Sequence, residues 1–152
     1  SDAFDGDFVD GVISKCSFNN IGNDAIDISG SILDITDLNV NHAGDKGISI
    51  GEKSNLFGRS IIIRNSNIGI ACKDLSNSNF TDVYLDSVNI GLAAFKKKPE
   101  YGPSNISVTK LEYSNIVIST YILEIGSTMD INMEPIVPNT SETSIAFMFS
   151  QL

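Results

Sequence analysis

The sequence predicts an all-β chain wound into a parallel solenoid of about 22 residues per coil. Three observations carry that expectation. A short segment recurs at a fixed spacing, each unit alternates apolar and polar residues with period two, and no amphipathic helical stretch of even ten residues occurs.

The repeat comes first. Asp24-Ala25-Ile26-Asp27-Ile28 is followed 22 residues later by Lys46-Gly47-Ile48-Ser49-Ile50. The same step gives Ile68-Gly69-Ile70-Ala71-Cys72 and then Ile90-Gly91-Leu92-Ala93-Ala94. Backwards, it lands on Asp2-Ala3-Phe4-Asp5. Forward of Ile90 the next match is Ile116-Val117-Ile118-Ser119, 26 residues on, which places an insertion of about four residues in the Pro-Gly-rich stretch 96–104.

Within each unit the second and fourth residues are apolar, as in Gly47-Ile48-Ser49-Ile50, so one face is buried and one is wet. A second apolar pulse follows, for example Leu33-Asp34-Ile35 or Ile61-Ile62-Ile63. Units end on Gly22-Asn23, Gly44-Asp45, Ser66-Asn67 and Val88-Asn89, residues suited to turns with left-handed backbone angles. An antiparallel sandwich also has short strands and turns. It has no reason to repeat its side chains in register; a coil stacked on itself does.

Twenty-two residues fit three strands of 4–5 residues at ~3.3 Å each, with corners between, and coils ~4.8 Å apart. Interior columns then read Ile26/Ile48/Ile70/Leu92 and Ile28/Ile50/Cys72/Ala94, and corner Asn residues stack as ladders. The expected division is coils over 1–126 and an irregular cap over 127–152, whose Met129, Met133, Phe147, Met148 and Phe149 suit an end cover. The chain opens in mid-series with no starting Met and no signal peptide, so a piece of a longer polypeptide is expected.

Composition narrows the function. The 152 residues carry 19 Asp and Glu against 10 Lys and Arg, a net charge of −9 that repels phosphate backbones and argues against nucleic acid. No apolar run approaches the ~18 residues of a membrane-spanning helix. One His and two Cys, with no CxxC, HExxH or GxSxG, leave no zinc site or hydrolase triad, and no phosphate-binding glycine loop occurs. No cofactor motif is present.

These coils resemble the right-handed parallel β-helix of the pectate-lyase-like superfamily, over residues 2 to about 125. The resemblance implies that fold, a secreted or cell-surface setting, and either carbohydrate chemistry or a non-catalytic surface role. Gly22-Asn23-Asp24-Ala25-Ile26 is similar to the Gly-x-Asp-Asp-Cys-Ile segment of polygalacturonase-type hydrolases, and Asp45-Lys46-Gly47-Ile48-Ser49-Ile50-Gly51 to their Gly-His-Gly-Ile-Ser-Ile-Gly segment. Asn23 replaces the first Asp and Lys46 the histidine, so only Asp24 carries over, whereas an inverting hydrolase needs two carboxyl groups.

Candidate sites follow from the columns. Asp2 stacks beside Asp24 and Asp5 beside Asp27, one coil apart, and like charges at that spacing call for a cation, with calcium the natural one for oxygen ligands. The plain alternative is a solvated acidic edge. Lys46, Lys53 and Lys73 cluster with acids, so Lys46 or Lys73 with Asp24 and Asp27 is the candidate catalytic set for a lyase or hydrolase; alternating charge that keeps the coils from slipping register and blocks strand addition is the favoured alternative. Lys96, Lys97 and Lys98 form the one basic run, in the inserted loop, and are the candidate grip on an acidic polysaccharide. His42 reads as a corner residue, and the four tyrosines do not align into a sugar-stacking face. Cys16 and Cys72 lie three coils apart, ~14 Å along the axis, too far to bridge.

Two functions are therefore expected. The first is a non-catalytic module of an extracellular or cell-surface protein, associated with a polysaccharide or cell-surface glycan, or adhesive. The second is a polysaccharide lyase or glycoside hydrolase. The uninterrupted coils, with no long loops to wall a cleft, favour the first.

Overall fold

The computed structural model describes residues 1–141 and is all-β, with no helix among them. Eleven strands form one sheet that winds as a solenoid of six coils. The first face is built by β1 (Phe4–Asp7), β3 (Ile26–Ser29), β5 (Lys46–Gly51), the ends of β6 (Asn55–Lys73) and β7 (Asn77–Phe95), and β9 (Ser119–Leu123), stacked in parallel. The second and third faces are built by β2 (Asp10–Ile21), β4 (Ile32–Ala43), the earlier parts of β6 and β7, and β8 (Asn105–Ser114); β10 (Thr128–Ile131) adds a last strand to the second face. β11 (Glu134–Pro135) turns back antiparallel on β10 and covers that end.

The expected interior columns are the core. Ile26, Ile48, Ile70 and Leu92 pair in register and are fully buried, as are Ile50 and Cys72, with Ile28 and Ala94 beside them. Glycine recurs at 47, 69 and 91 for a steric reason: a Cβ at Gly69 would stand 2.6 Å from the carbonyl oxygen of Gly91 one coil on. Strands there pass too close for any side chain.

The corners correct the expectation about turns. Left-handed angles fall at Phe8, Gly30, Glu52 and Asp74; at Lys15, Asp37, Ser60, Asp82 and Lys110; and at Asn20, His42, Asn65, Ser87 and Asn115. Asn23, Asp45, Asn67 and Asn89 have ordinary backbones. They stack instead through side chains, Asn89 Nδ2 donating to Asn67 Oδ1 at 2.9 Å and Asn67 Nδ2 to Asp45 Oδ1 at 3.2 Å. One left-handed residue bends the chain at most corners, and two in succession do so at Glu52–Lys53, Asp74–Leu75 and Asn132–Met133, each non-glycine at a cost of roughly 1–2 kcal/mol. His42 is one of them and is exposed.

The last expected repeat also moves. Ile90 pairs with Ser119, not Ile116, and Leu92 with Tyr121. Thr81 pairs with Thr109, a step of 28 residues, so the loop at 96–104 holds six extra residues and the corner before β9 one more. Val117 and Ile118 are consequently exposed, at 72% and 70%. The coil length also shifts by one between β4 and β6, where Ile32 pairs with Asn55. The stack continues past 126 through β10, with Met129 in the core and Met133 exposed; Phe147, Met148 and Phe149 lie outside the described residues.

Both cysteines are free thiols, Cys72 buried in the Ile28/Ile50 column, where desolvation pushes its pKa up to about 11.

Candidate functional site

Alternation on the first face sends Ile26 and Ile28 inward, and therefore Asp27 and Ser29 outward. The register then stacks outward columns along the axis. One reads Asp5, Asp27, Ser49, Ala71, Ala93, Ile122, and its neighbour runs Asp7, Ser29, Gly51 and, further on, Lys73 and Phe95. This face is acidic in the first two coils. In the later coils it turns apolar, where Ala71, Ala93, Phe95 and Ile122 join Ile68 and Ile90 in a second buried cluster outside the barrel.

The acidic part gathers three carboxylates. Oxygens of Asp2, Asp5 and Asp27 lie within 4.8 Å of one another. Partial desolvation, then repulsion from Asp7, Asp27 and Asp2, raises the pKa of Asp5.

Asp24 stands apart from them. Its Oδ1 accepts the backbone N–H of Lys46 at 3.0 Å, while its own N–H donates to Asp2 Oδ1 at 3.0 Å. Burial pushes its pKa up to about 6, a shift that the Lys46 ammonium 3.7 Å away only partly offsets. Lys46 also pairs with Asp45. Both Asp24 and Lys46 thus spend their polar atoms on joining coils.

Lys73 is placed differently. It is 9% exposed, and its side chain lies over Gly51, with Nζ 3.9 Å from the point a Cβ there would occupy. Among the described residues its ammonium makes no hydrogen bond or ion pair. Desolvation first, then repulsion from Lys46 and Lys97, lowers its pKa against the pull of Asp27 and Asp24. Ser49, fully buried in the adjacent column, also has a hydroxyl with no partner among these residues.

The loop at 96–104 folds back onto the same face. Lys97 and Lys98 donate backbone N–H groups to Asp74 Oδ1 at 2.7 and 2.8 Å, and Lys96 donates its own to Glu124 Oε1 at 3.2 Å. The Lys98 ammonium pairs with Glu52, whose other oxygen accepts the Ser29 hydroxyl at 2.6 Å. That bond raises the pKa of Lys98 and lowers that of Glu52. Lys98 therefore works as a latch, and Lys97 is the exposed lysine of the loop. Lys53, beside Glu52 at the same corner, lies over the Tyr101 ring, 5.9 Å from its centre.

The result is a groove of about 370 Å³, lined by Asp5, Asp27, Ser29, Glu52, Lys73 and Lys97 among others. Of the sequence candidates it gathers Asp5, Asp27, Lys73, Lys97 and Lys98, and leaves Asp2, Asp24, Lys46 and Lys96 off its lining. Asp7, Ser29, Glu52 and Asp74 are the polar contributors that the sequence candidates left out. Their signal was faint: Glu52 and Asp74 sit 22 apart, like register charges. The tyrosines share no face; Tyr84 bonds Ser114 at 2.8 Å beneath Arg64, and Tyr121 packs against the core.

Compared with family models, curated proteins and solved structures, the chain matches none. The superfamily resemblance thus rests on the residues quoted for it, and the coarser statement, a parallel β-solenoid with coils of about 22 residues, rests on the register of the strands.

Proposed function

We propose that this chain is a non-catalytic β-solenoid module of an extracellular or cell-surface protein, of the pectate-lyase-like kind, which holds an acidic polysaccharide along its first face. The observation that carries this reading is how the polar groups are used. Asp24, Lys46, Glu52, Asp74 and Lys98 are all bonded to neighbouring coils or to the 96–104 loop. What remains to meet a ligand, among the described residues, is a groove bearing exposed Lys97, the Asp5–Asp27 pair and, 9% exposed, Lys73. Among the described residues its wall is the 96–104 loop. Calcium at Asp2, Asp5 and Asp27 relieves their mutual repulsion and offers a bridge to ligand carboxylates. Affinity electrophoresis through gels holding polygalacturonate, alginate or a neutral glucan tests the reading. Retardation by an acidic polymer, reduced by Lys73→Met, supports it; equal mobility in all gels sinks it.

One observation favours a second reading, a polysaccharide lyase. Lys73 is a buried ammonium of lowered pKa that shares the groove with Asp27 and has no ion-pair partner among the described residues, the environment in which a lysine acts as a base. Ultraviolet absorbance from unsaturated products, lost in Lys73→Ala, is its test.

A further inference from the structure

We propose that the outer side of the second face is a separate binding site for a neutral pyranose, whose ring stacks on Phe57. Alternation turns Leu56 and Gly58 inward, and Phe57 and Arg59 outward. Register then surrounds Phe57 with polar groups. Asp34 precedes it and Asn79 follows it in one outward column, with ~4.8 Å between neighbours. Arg59 lies one outward position further along the same strand, between Thr36 and Thr81 of the adjoining coils. These residues line a groove of about 550 Å³, a volume in the range of small-ligand sites.

Phe57 is 54% exposed in a column that otherwise carries Asp34, Asn79 and Ser107 through the inner coils. An aromatic ring held in water at a position suited to polar residues gives up hydration free energy that a ligand recovers. Its strand is well seated: Gly58 makes room for the ring of Phe80, itself 2% exposed, where a Cβ would stand only 2.4 Å from that ring. The polar groups around Phe57 are unspent. Among the described residues the side chains of Asp34, Arg59 and Asn79 make no hydrogen bond or ion pair. Their chemistry selects the ligand. A carboxylate accepts from neighbouring hydroxyls, a guanidinium donates to hydroxyl oxygens, a carboxamide does both, and the aromatic ring packs on the C–H face of the sugar. A uronate or a phosphate would meet repulsion from Asp34, which a neutral sugar does not. A peptide strand finds no edge to join, because β6 is already paired with β4 on one side and β7 on the other.

Nuclear magnetic resonance titration with cellotetraose, mannotetraose and xylotetraose tests this. Saturable binding of at least one is expected, with the amide signals of Asp34, Phe57, Arg59 and Asn79 moving together. Phe57→Ala should weaken it about tenfold, and Phe57→Trp, which keeps a stacking ring, should retain it. Lys73→Met, on the first face, should leave it unchanged, so failure here and failure of the acidic-polysaccharide reading are told apart. Position 57 points to solvent, so these substitutions are compatible with the fold, and circular dichroism verifies this. Absence of binding by all three sugars overturns the proposal. So does binding that Phe57→Ala leaves unchanged, that Phe57→Trp abolishes, or that Lys73→Met removes.

Discussion

Ser54 Oγ accepts the backbone N–H of Ser31, one coil away, at 3.0 Å and donates its own proton to Gly51 O at 2.7 Å. Ser76 serves Ser54 in the same way, and Ser127 serves Ser104. This buried ladder runs beside the left-handed corner where hydrogen bonding between strands lapses. Each hydroxyl satisfies an N–H that water cannot reach.

Ser54→Ala should therefore cost about 1–3 kcal/mol, because it strands the Ser31 N–H in a dry corner. Ser14→Ala, on an exposed position of β2, should change stability by no more than about 0.5 kcal/mol. Chemical denaturation of both variants measures the difference. Equal midpoints would mean that the ladder carries no stability.

The ladder shows what the sequence made legible and what it hid. The columns Ile26/Ile48/Ile70/Leu92 were readable because a core column tolerates only apolar residues and the 22-residue step is constant there. Ser31, Ser54, Ser76, Ser104 and Ser127 form a column too. Their step varies between 22 and 28 residues, so no fixed period exposes them among 20 serines. The corners were hidden for another reason. Phe8, Lys15 and His42 take left-handed angles that their residue types do not advertise, because stacking against the neighbouring coil overrides local preference. At the candidate site, Asp5 beside Asp27 followed from the spacing. The sequestration of Asp24 by Lys46 did not, since spacing fixes columns and not the partners that side chains choose.

Asp24 should make stability depend on pH. Its pKa in the fold, about 6, lies above the value of 3.8 for a free carboxyl, so folding favours the protonated form. That contribution is fully present below about pH 4 and is lost as pH rises through about 6. Asp24→Asn keeps an oxygen to accept the Lys46 N–H and removes the buried charge. The variant should gain about 1–2 kcal/mol relative to the parent between about pH 4 and about pH 7.5. Melting curves across that range measure it, and a difference that stays flat would contradict the assignment.

Calcium should raise the melting temperature through Asp2, Asp5 and Asp27 if it binds there, since a ligand of the folded state alone stabilises it. Asp27→Asn should abolish that rise, and in chelator the same variant should match or exceed the parent, having lost a repulsion. A calcium response that survives in Asp27→Asn would place the ion elsewhere.

Gly69→Ala tests the stacking itself. The added methyl meets Gly91 O at 2.6 Å, backbone that cannot move without parting the coils. A loss of at least about 2 kcal/mol is expected, at the upper end of overpacking costs. An alanine variant that melts with the parent would mean that the strands at 69 and 91 are not in contact.

The central claim is that the first face holds an acidic polysaccharide without cutting it. The most direct measurement is a titration of the protein with uronate oligosaccharides, with and without calcium, following binding by calorimetry and unsaturated products by ultraviolet absorbance in the same samples. The account predicts saturable binding of the acidic oligosaccharide, weakened about tenfold or more by Lys73→Met, with no rise in absorbance. Binding unchanged in Lys73→Met, absence of binding, or absorbance that grows with time and vanishes in that variant would contradict it.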